Sequence, residues 1–348
     1  MLSIGCKGKD LLYRLDELVD AGWVTRQKHK SFPLFVYSYS KKTQYDQYWT
    51  DLTKFARGVI LDTEGNLVAK PFTKAFNIGE PSAPELPKGH DYMAYSKVDG
   101  SMSVFWHYEG KWNCSTKGSF DNQYTDYALS VIGNQISSDI SKDITLITEV
   151  VLPEELDDMR RAAPADPGLY FLGATHTPSR KDLNPLTFHT LWGGKFASPC
   201  GEYIEDLMEK ASHEEGTEGW VIRYSDGLRF KVKTAWYLRI FRTLSRLDDS
   251  VKTQMLQGMS LDQILVDVPE ELTGEITELY KTISSKVSEI KLAVWARYKN
   301  HCGRTKPDRK TFAGLVKEDL LRSLLFLLYD EKDISSTVMD GVIKGKYD

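Results

Sequence analysis

The chain has 348 residues, 41% of them hydrophobic and 27% charged, with a formal net charge of −4. That length allows two or three domains, and that balance is ordinary for a soluble globular protein. It excludes a general polyanion sponge, because 45 basic residues face 49 acidic ones. No apolar run approaches the ~20 residues of a membrane-spanning helix. Met1 to Cys6 lack the basic flank and apolar core of a signal peptide. Cys6, Cys114, Cys200 and Cys302 lie too far apart for a zinc site or a disulfide framework. A cytoplasmic, monomeric protein with reduced thiols and no membrane partner is expected.

In chain order, Leu11, Leu12, Leu15, Leu18 and Val19 recur at helical spacing and predict an amphipathic helix over Lys9 to Val19. From Phe32 to Ile240 the pattern becomes short β-rich runs broken by Gly, Pro, Asn and Asp. Val59 to Leu61 and Leu67 to Ala69 flank a turn, Met102 to Tyr108 and Lys111 to Thr116 flank Glu109-Gly110, and Trp220 to Tyr224 and Leu228 to Val232 flank Ser225-Asp226-Gly227. These are hairpin signals. Ile144 to Thr148 and Tyr170 to Leu172 are further strands. Beyond residue 245 helical spacing returns, at Leu279, Ile283, Val287, Ile290, Val294 and Tyr298, and again in one helix over Leu315 to Tyr329 that carries Leu320, Leu321, Leu324, Leu325 and Leu328. The expected fold class is α+β: an antiparallel-sheet domain over 1–245 and a small all-helical domain over 246–348.

Chemistry concentrates at Lys97-Val98-Asp99-Gly100. A lysine amine can attack the α-phosphorus of a nucleotide and form a phosphoramidate. The glycine lets backbone approach a ligand, and the aspartate can help hold a metal or position the lysine. Period-2 alternation in Leu228 to Lys233 places Arg229, Lys231 and Lys233 on one strand face. Three cations there suit a triphosphate and favour the free amine of a neighbouring lysine. A solvated strand face is the bland alternative. Asp99, Glu149 and Glu218 make a carboxylate set able to bind Mg²⁺ (or Mn²⁺) through its water shell. His301-Cys302 has no partner pair at zinc-site spacing and reads as helix-end packing or RNA contact.

Taken in order, Lys97-Val98-Asp99-Gly100, Glu149, Glu218-Gly219 and Lys231-Val232-Lys233 resemble motifs I, III, IV and V of the covalent nucleotidyltransferases, which comprise ATP-dependent DNA ligases, RNA ligases and mRNA capping enzymes. Ala56-Arg57-Gly58-Val59, Lys74-Ala75-Phe76-Asn77, Ser115 to Ser119, Thr234 to Tyr237, and Lys299 to Gly303 followed by Asp308 to Phe312 resemble the phage RNA ligase 1 family of tRNA-repair type. Tyr39, with Tyr37 close by, resembles that family's phosphate-contacting tyrosine. The resemblance implies an ATP-dependent RNA ligase that joins 5′-phosphate and 3′-hydroxyl ends through lysyl-AMP at Lys97 and adenylylated RNA. It implies catalytic roles for Lys97, Asp99, Glu218, Lys231 and Lys233. Nucleotide contacts would come from Tyr39, Arg57, Lys74, Lys97, Lys117, Glu149, Lys231 and Lys233, and Mg²⁺ or Mn²⁺ contacts from Asp99, Glu149 and Glu218. It also implies a cleaved tRNA anticodon loop as partner and an end-healing kinase/phosphatase acting upstream. A DNA ligase, a capping-type enzyme or a non-catalytic RNA-binding relative are the alternatives. The stretch Lys286 to Lys310 holds eight Lys or Arg residues against Glu289 and Asp308, which suits RNA contact in either case.

Overall fold

The computed structural model describes residues 5–89, 91–132, 136–156, 163, 165–192, 194–244, 246–265, 268, 272–303 and 305–347. Met1 to Ile4 and Arg304 lie outside the described residues. The chain forms two compact units, residues 1–245 and 246–348. No helix among the described residues is long and apolar enough to cross a membrane, and the four cysteines are free thiols.

Three sheets build the first unit, and most of their pairings are antiparallel. A four-stranded sheet runs Val24–Lys28, Leu34–Tyr39, Arg57–Asp62, Leu67–Ala69. The helix Gly8–Asp20 packs Leu11 and Leu15 against this sheet, beside Tyr37, Val59 and Leu61. Leu34, Val36 and Ile60 point the other way and meet Val104 and Trp106 of the central sheet. One strand pair thus serves two cores, because successive side chains alternate faces. The central, six-stranded sheet is built on the antiparallel neighbours Gly168–His176, Ile144–Val151, Ser101–Tyr108 and Lys111–Thr116. The helices Gln123–Ile132 and Pro185–Trp192 cover it, burying Ala128, Ile132 and Trp192 beside Phe105, Leu146 and Phe171.

The third sheet has five strands in the order Pro199–Cys200, Tyr92–Ser96, Gly219–Tyr224, Arg229–Lys233, Phe76–Asn77. Trp220, Ile222, Tyr224, Phe230 and Val232 share its buried face with Leu207 of the helix Ile204–Ala211. The opposite face carries the charged residues and forms the floor of the candidate site.

The described residues of the second unit form helices and turns. The long helix Thr273–Cys302 buries Ile283, Val287 and Val294 and packs on Leu247–Leu256, Arg322–Tyr329 and Ser335–Ile343. The helix expected over Leu315 to Tyr329 is two helices, Arg309–Leu315 and Arg322–Tyr329, and Leu320 between them is 94% exposed. Asp319 accounts for the break. Its Oδ1 accepts the Leu321 N–H at 2.8 Å and pairs with Arg297 at 2.7 Å, so the chain turns instead of continuing the helical ladder.

Candidate active site

The floor of the site follows from strand register. Tyr95 and Lys231 flank Val221, Met93 and Arg229 flank Arg223, and Lys233 lies opposite Gly219. Lys97 follows directly on the strand Tyr92–Ser96, and its N–H donates to Gly219 O at 2.8 Å. Rows on one face recur every second residue, about 7 Å apart. The row nearest Lys97 holds Gly219 and Lys233, the middle row Tyr95, Val221 and Lys231, and the far row Met93, Arg223 and Arg229. Two glycines make the close approaches possible. A Cβ on Gly100 would lie 2.5 Å from Val150 O, and one on Gly219, at φ +135°, would lie 2.0 Å from Val232 O.

Glu218 is the hub. Its Oε1 lies 2.8 Å from Lys97 Nζ and 3.3 Å from Lys233 Nζ, while its Oε2 is buried without a hydrogen-bond partner. Burial pulls the Lys97 ammonium toward neutrality, but Glu218, then Glu149 and Asp99, outweigh it and hold the pKa above the ordinary lysine value. The expectation that neighbouring cations hold Lys97 as a free amine is therefore corrected: Glu218, Glu149 and Asp99 outweigh burial and favour the ammonium. Glu149 is pushed up to about 7, first by burial, with Lys97 opposing and Glu218 reinforcing the shift.

Arg57, Lys97, Glu149 and Lys231 line one cavity of about 100 Å³, with Phe72, Met102, Leu172, Val221 and Arg223 among its other walls. Asp99, two residues after Lys97, is buried. Its Oδ1 accepts from Tyr237 OH and its Oδ2 from Ala163 N–H, each at 3.2 Å. Among the described residues no three His, Cys, Asp or Glu side chains form a group able to hold a metal ion.

Lys74, Lys117 and Tyr39 stand apart from that cavity. Lys74 lines a neighbouring cavity of about 450 Å³, pairs with Glu80 at 3.4 Å and lies 4.9 Å from the Trp49 ring centroid. Lys117 sits 3.6 Å over the ring of Tyr39, which meets Trp49 edge-on at 5.0 Å. Tyr37 is fully buried and donates its hydroxyl to Asp16 at 2.9 Å, so of the two tyrosines Tyr39 is the one near a predicted site residue.

No protein-family model matches the chain. Among solved structures, it is similar to Naegleria gruberi RNA ligase with PPi, at 14% identity and a TM-score of 0.36, covering 44% of this chain and 52% of that one. A mutant of the same enzyme with ATP and Mn matches at 13% identity and 0.36, over 43% and 51%. A putative ATP-dependent DNA ligase from Aquifex aeolicus matches at 13% identity and 0.45, over 95% of this chain and 76% of that one. The matched part spans about half the length of the Naegleria enzyme.

Two features differ from the sequence expectation. Arg229 does share a face with Lys231 and Lys233 and lines the same cavity, but it is not a free cation. It is buried, ion-paired to Asp182 and stacked 3.5 Å over the Phe72 ring. Asp182 also takes Lys70 at 3.3 Å, so one acid is shared between two buried basic side chains. Arg223 escaped motif reading altogether. The alternation Gly219, Val221, Arg223 was the signal that could have found it.

In the second unit the basic stretch is largely occupied. Arg297 pairs with Asp319, Lys306 with Glu331 at 3.3 Å, and Arg309 with Asp330. Lys291 donates to Ser335 at 2.7 Å. Lys299 and Lys310 are exposed and have no carboxylate partner among the described residues. His301 Nε2 lies 3.7 Å from Asp319 Oδ2, which fits helix-end packing.

Proposed function

We propose that the chain is an ATP-dependent RNA ligase of the lysyl-nucleotidyl type. The observation that carries this is a lysine amine 2.8 Å from a buried carboxylate, beside a second lysine and at the mouth of a pocket lined by Arg57 and Lys231. In the first step Lys97 Nζ attacks the α-phosphorus, the N–P bond forms, and the bond to the pyrophosphate oxygen breaks. The ammonium must first lose a proton, for which Glu218 Oε1 is the nearest acceptor. Next a 5′-phosphate oxygen of RNA attacks the AMP phosphorus and frees Lys97. Finally the RNA 3′-hydroxyl attacks the activated end and AMP leaves.

Positioning and charge neutralisation dominate such transfers. Lys231 and Lys233 would face the phosphates, Asp99 would hold the loop, and Arg57 would contact the nucleotide. The buried, unpartnered Oε2 of Glu218 fits a Mg²⁺ site that Glu218 and Glu149 would hold through water. When bound, that ion supplies charge neutralisation. Tyr39, Lys74 and Lys117 would contact phosphates from their separate cluster. RNA is favoured over DNA because a DNA ligase or capping enzyme adds a five-stranded OB barrel, whereas the second unit is helical where described. Within this reading the substrate is a cleaved tRNA anticodon loop, its ends prepared by a separate kinase/phosphatase, and the chain acts as a cytoplasmic monomer.

The experiment uses ATP labelled at the α-phosphate. The parent chain should form a protein-AMP adduct and Lys97→Ala should not, while the variant should still seal pre-adenylylated RNA. Equal labelling of parent and variant removes Lys97 from the reaction. Because Lys97 is held protonated, the adduct rate should climb with pH above neutrality, by up to about tenfold per unit. A flat profile from pH 6 to 9 would show that proton loss does not limit the step.

A further inference from the structure

Arg223 is a guanidinium on the pocket face with no neutralising partner among the described residues. It lies directly across the strand pair from Arg229. Like charges in that relation destabilise a sheet. Asp182 compensates Arg229, but no carboxylate pairs with Arg223 among the described residues. Its Nη2 donates to Leu183 O at 3.1 Å, and its Nε is buried with no hydrogen-bond partner. A buried donor without an acceptor is costly, and native folds keep few of them. The packing role through Leu183 accounts for Nη2 and leaves Nε without an acceptor.

That Nε is closed off from the cavity, so contact with a bound nucleotide falls to the rest of the guanidinium, which lines the cavity. Arg223 stands two rows from Gly219 and Lys233, about 13 Å along the sheet from the nucleophile's end. That span is comparable with a nucleoside monophosphate laid out from phosphorus to base. Between the two ends the cavity wall carries Val221, Tyr95, Phe72, Leu172 and Met102, with Lys231 on the middle row and Thr73 and Ser96 also in the lining. Its apolar and aromatic members suit the flat faces of a base. At the far end Arg223 brings donors only, since a guanidinium has no acceptor.

We propose that Arg223 reads the edge of the ATP base by donating to a purine ring nitrogen, and so sets the affinity for the nucleotide. This rests on the nucleotidyl-transfer reading above and goes beyond it, because no motif of that reading includes Arg223. A side chain so far from the reacting phosphorus binds ground state and transition state alike. Its loss should raise KM and leave kcat nearly unchanged.

The test measures KM and kcat for adduct formation by the full chain with ATP and with its 1-deaza, 3-deaza and 7-deaza analogues. Each analogue removes one acceptor without touching the protein. For the parent chain, one analogue should raise KM about 10- to 100-fold, the usual range for a hydrogen bond to a charged group. Arg223→Met should raise KM for ATP by a similar factor and no longer distinguish that analogue from ATP, and Arg223→Lys should recover part of the loss. Parent-like KM in R223M overturns the proposal. So does a loss shared equally by ATP and every analogue, which is what a packing role would give. Should R223M fail to fold, the analogue series on the parent and on R223K decides alone. If the parent forms no adduct at all, the nucleotidyl-transfer reading falls separately. Calorimetric binding of ATP and the analogues then replaces KM, and equal affinities for all four nucleotides overturn the role of Arg223.

Discussion

Glu149 shows how far a single residue's behaviour departs from its sequence label. Its strand position was legible from the apolar run before it, but its proton was not, because the shift arises from burial among groups distant in the chain. With a folded-state pKa of about 7 against 4.5, the folded state holds the proton where the unfolded state has lost it. The stabilisation present below pH 4.5 is therefore lost as pH rises through 7. Glu149→Gln, which never ionises, should match the parent at pH 4 and be more stable at pH 8, by something on the order of 3 kcal/mol. Thermal unfolding in chelator at fixed salt checks this, and an equal difference at both pH values would contradict the assigned pKa. Lys97, Glu218 and Lys233 were legible because their chemistry depends on residue type and order. The free amine of Lys97 was misjudged, and the pairing of Arg229 was not visible, because Glu218 and Asp182, far away in sequence, decide them at contact distance.

At the scale of elements, period and turn chemistry carried most of the reading. The hairpins at Glu109-Gly110 and Ser225-Asp226-Gly227 and the helix near Lys9 formed where apolar spacing and turn residues agreed. The expected helix over Leu315 to Tyr329 failed because leucine spacing is blind to an aspartate that bonds its own backbone. This predicts that Leu320→Ser changes stability by less than about 0.5 kcal/mol, whereas Leu324→Ala costs about 2–5 kcal/mol. Urea unfolding of the two variants separates a broken helix from a continuous one, since the latter would give Leu320 a measurable cost. Gly219 makes the parallel case for strands. At φ +135°, with Val232 O 2.0 Å from where a Cβ would sit, Gly219→Ala should cost about 1–3 kcal/mol from conformation alone and more from the clash. Gly79, at φ +82° with open space around it, is the control that bears only the conformational part. Because Gly219 O receives the Lys97 N–H, the first variant should also lose adduct formation. Equal stability and activity of the two variants would detach Gly219 from the geometry of the nucleophile.

At the scale of the whole chain, every side chain proposed for nucleotide transfer lies in the first unit, and the second supplies charge of a different kind. The basic stretch Lys286 to Lys310 was legible as composition, but its pairing was not, since Asp319, Asp330 and Glu331 lie beyond the stretch itself. With Arg297, Lys306 and Arg309 engaged inside the unit, phosphate attraction falls mainly to Lys299 and Lys310. Each phosphate contact adds about 0.9 to the slope of log affinity against log salt on a duplex, and about 0.7 on a single strand. Lys299→Ala with Lys310→Ala should therefore reduce the salt slope for nicked tRNA by about 1–2 and leave adduct formation untouched. A chain ending at residue 245, once circular dichroism shows that it folds, should still form the adduct but lose its preference for nicked tRNA over unstructured ends. The double variant and the shortened chain answer different questions. A lowered salt slope with unchanged preference means that the second unit adds only affinity. A lost preference with an unchanged slope means that shape, and not Lys299 or Lys310, does the selecting. If neither measurement moves, substrate choice belongs to the first unit.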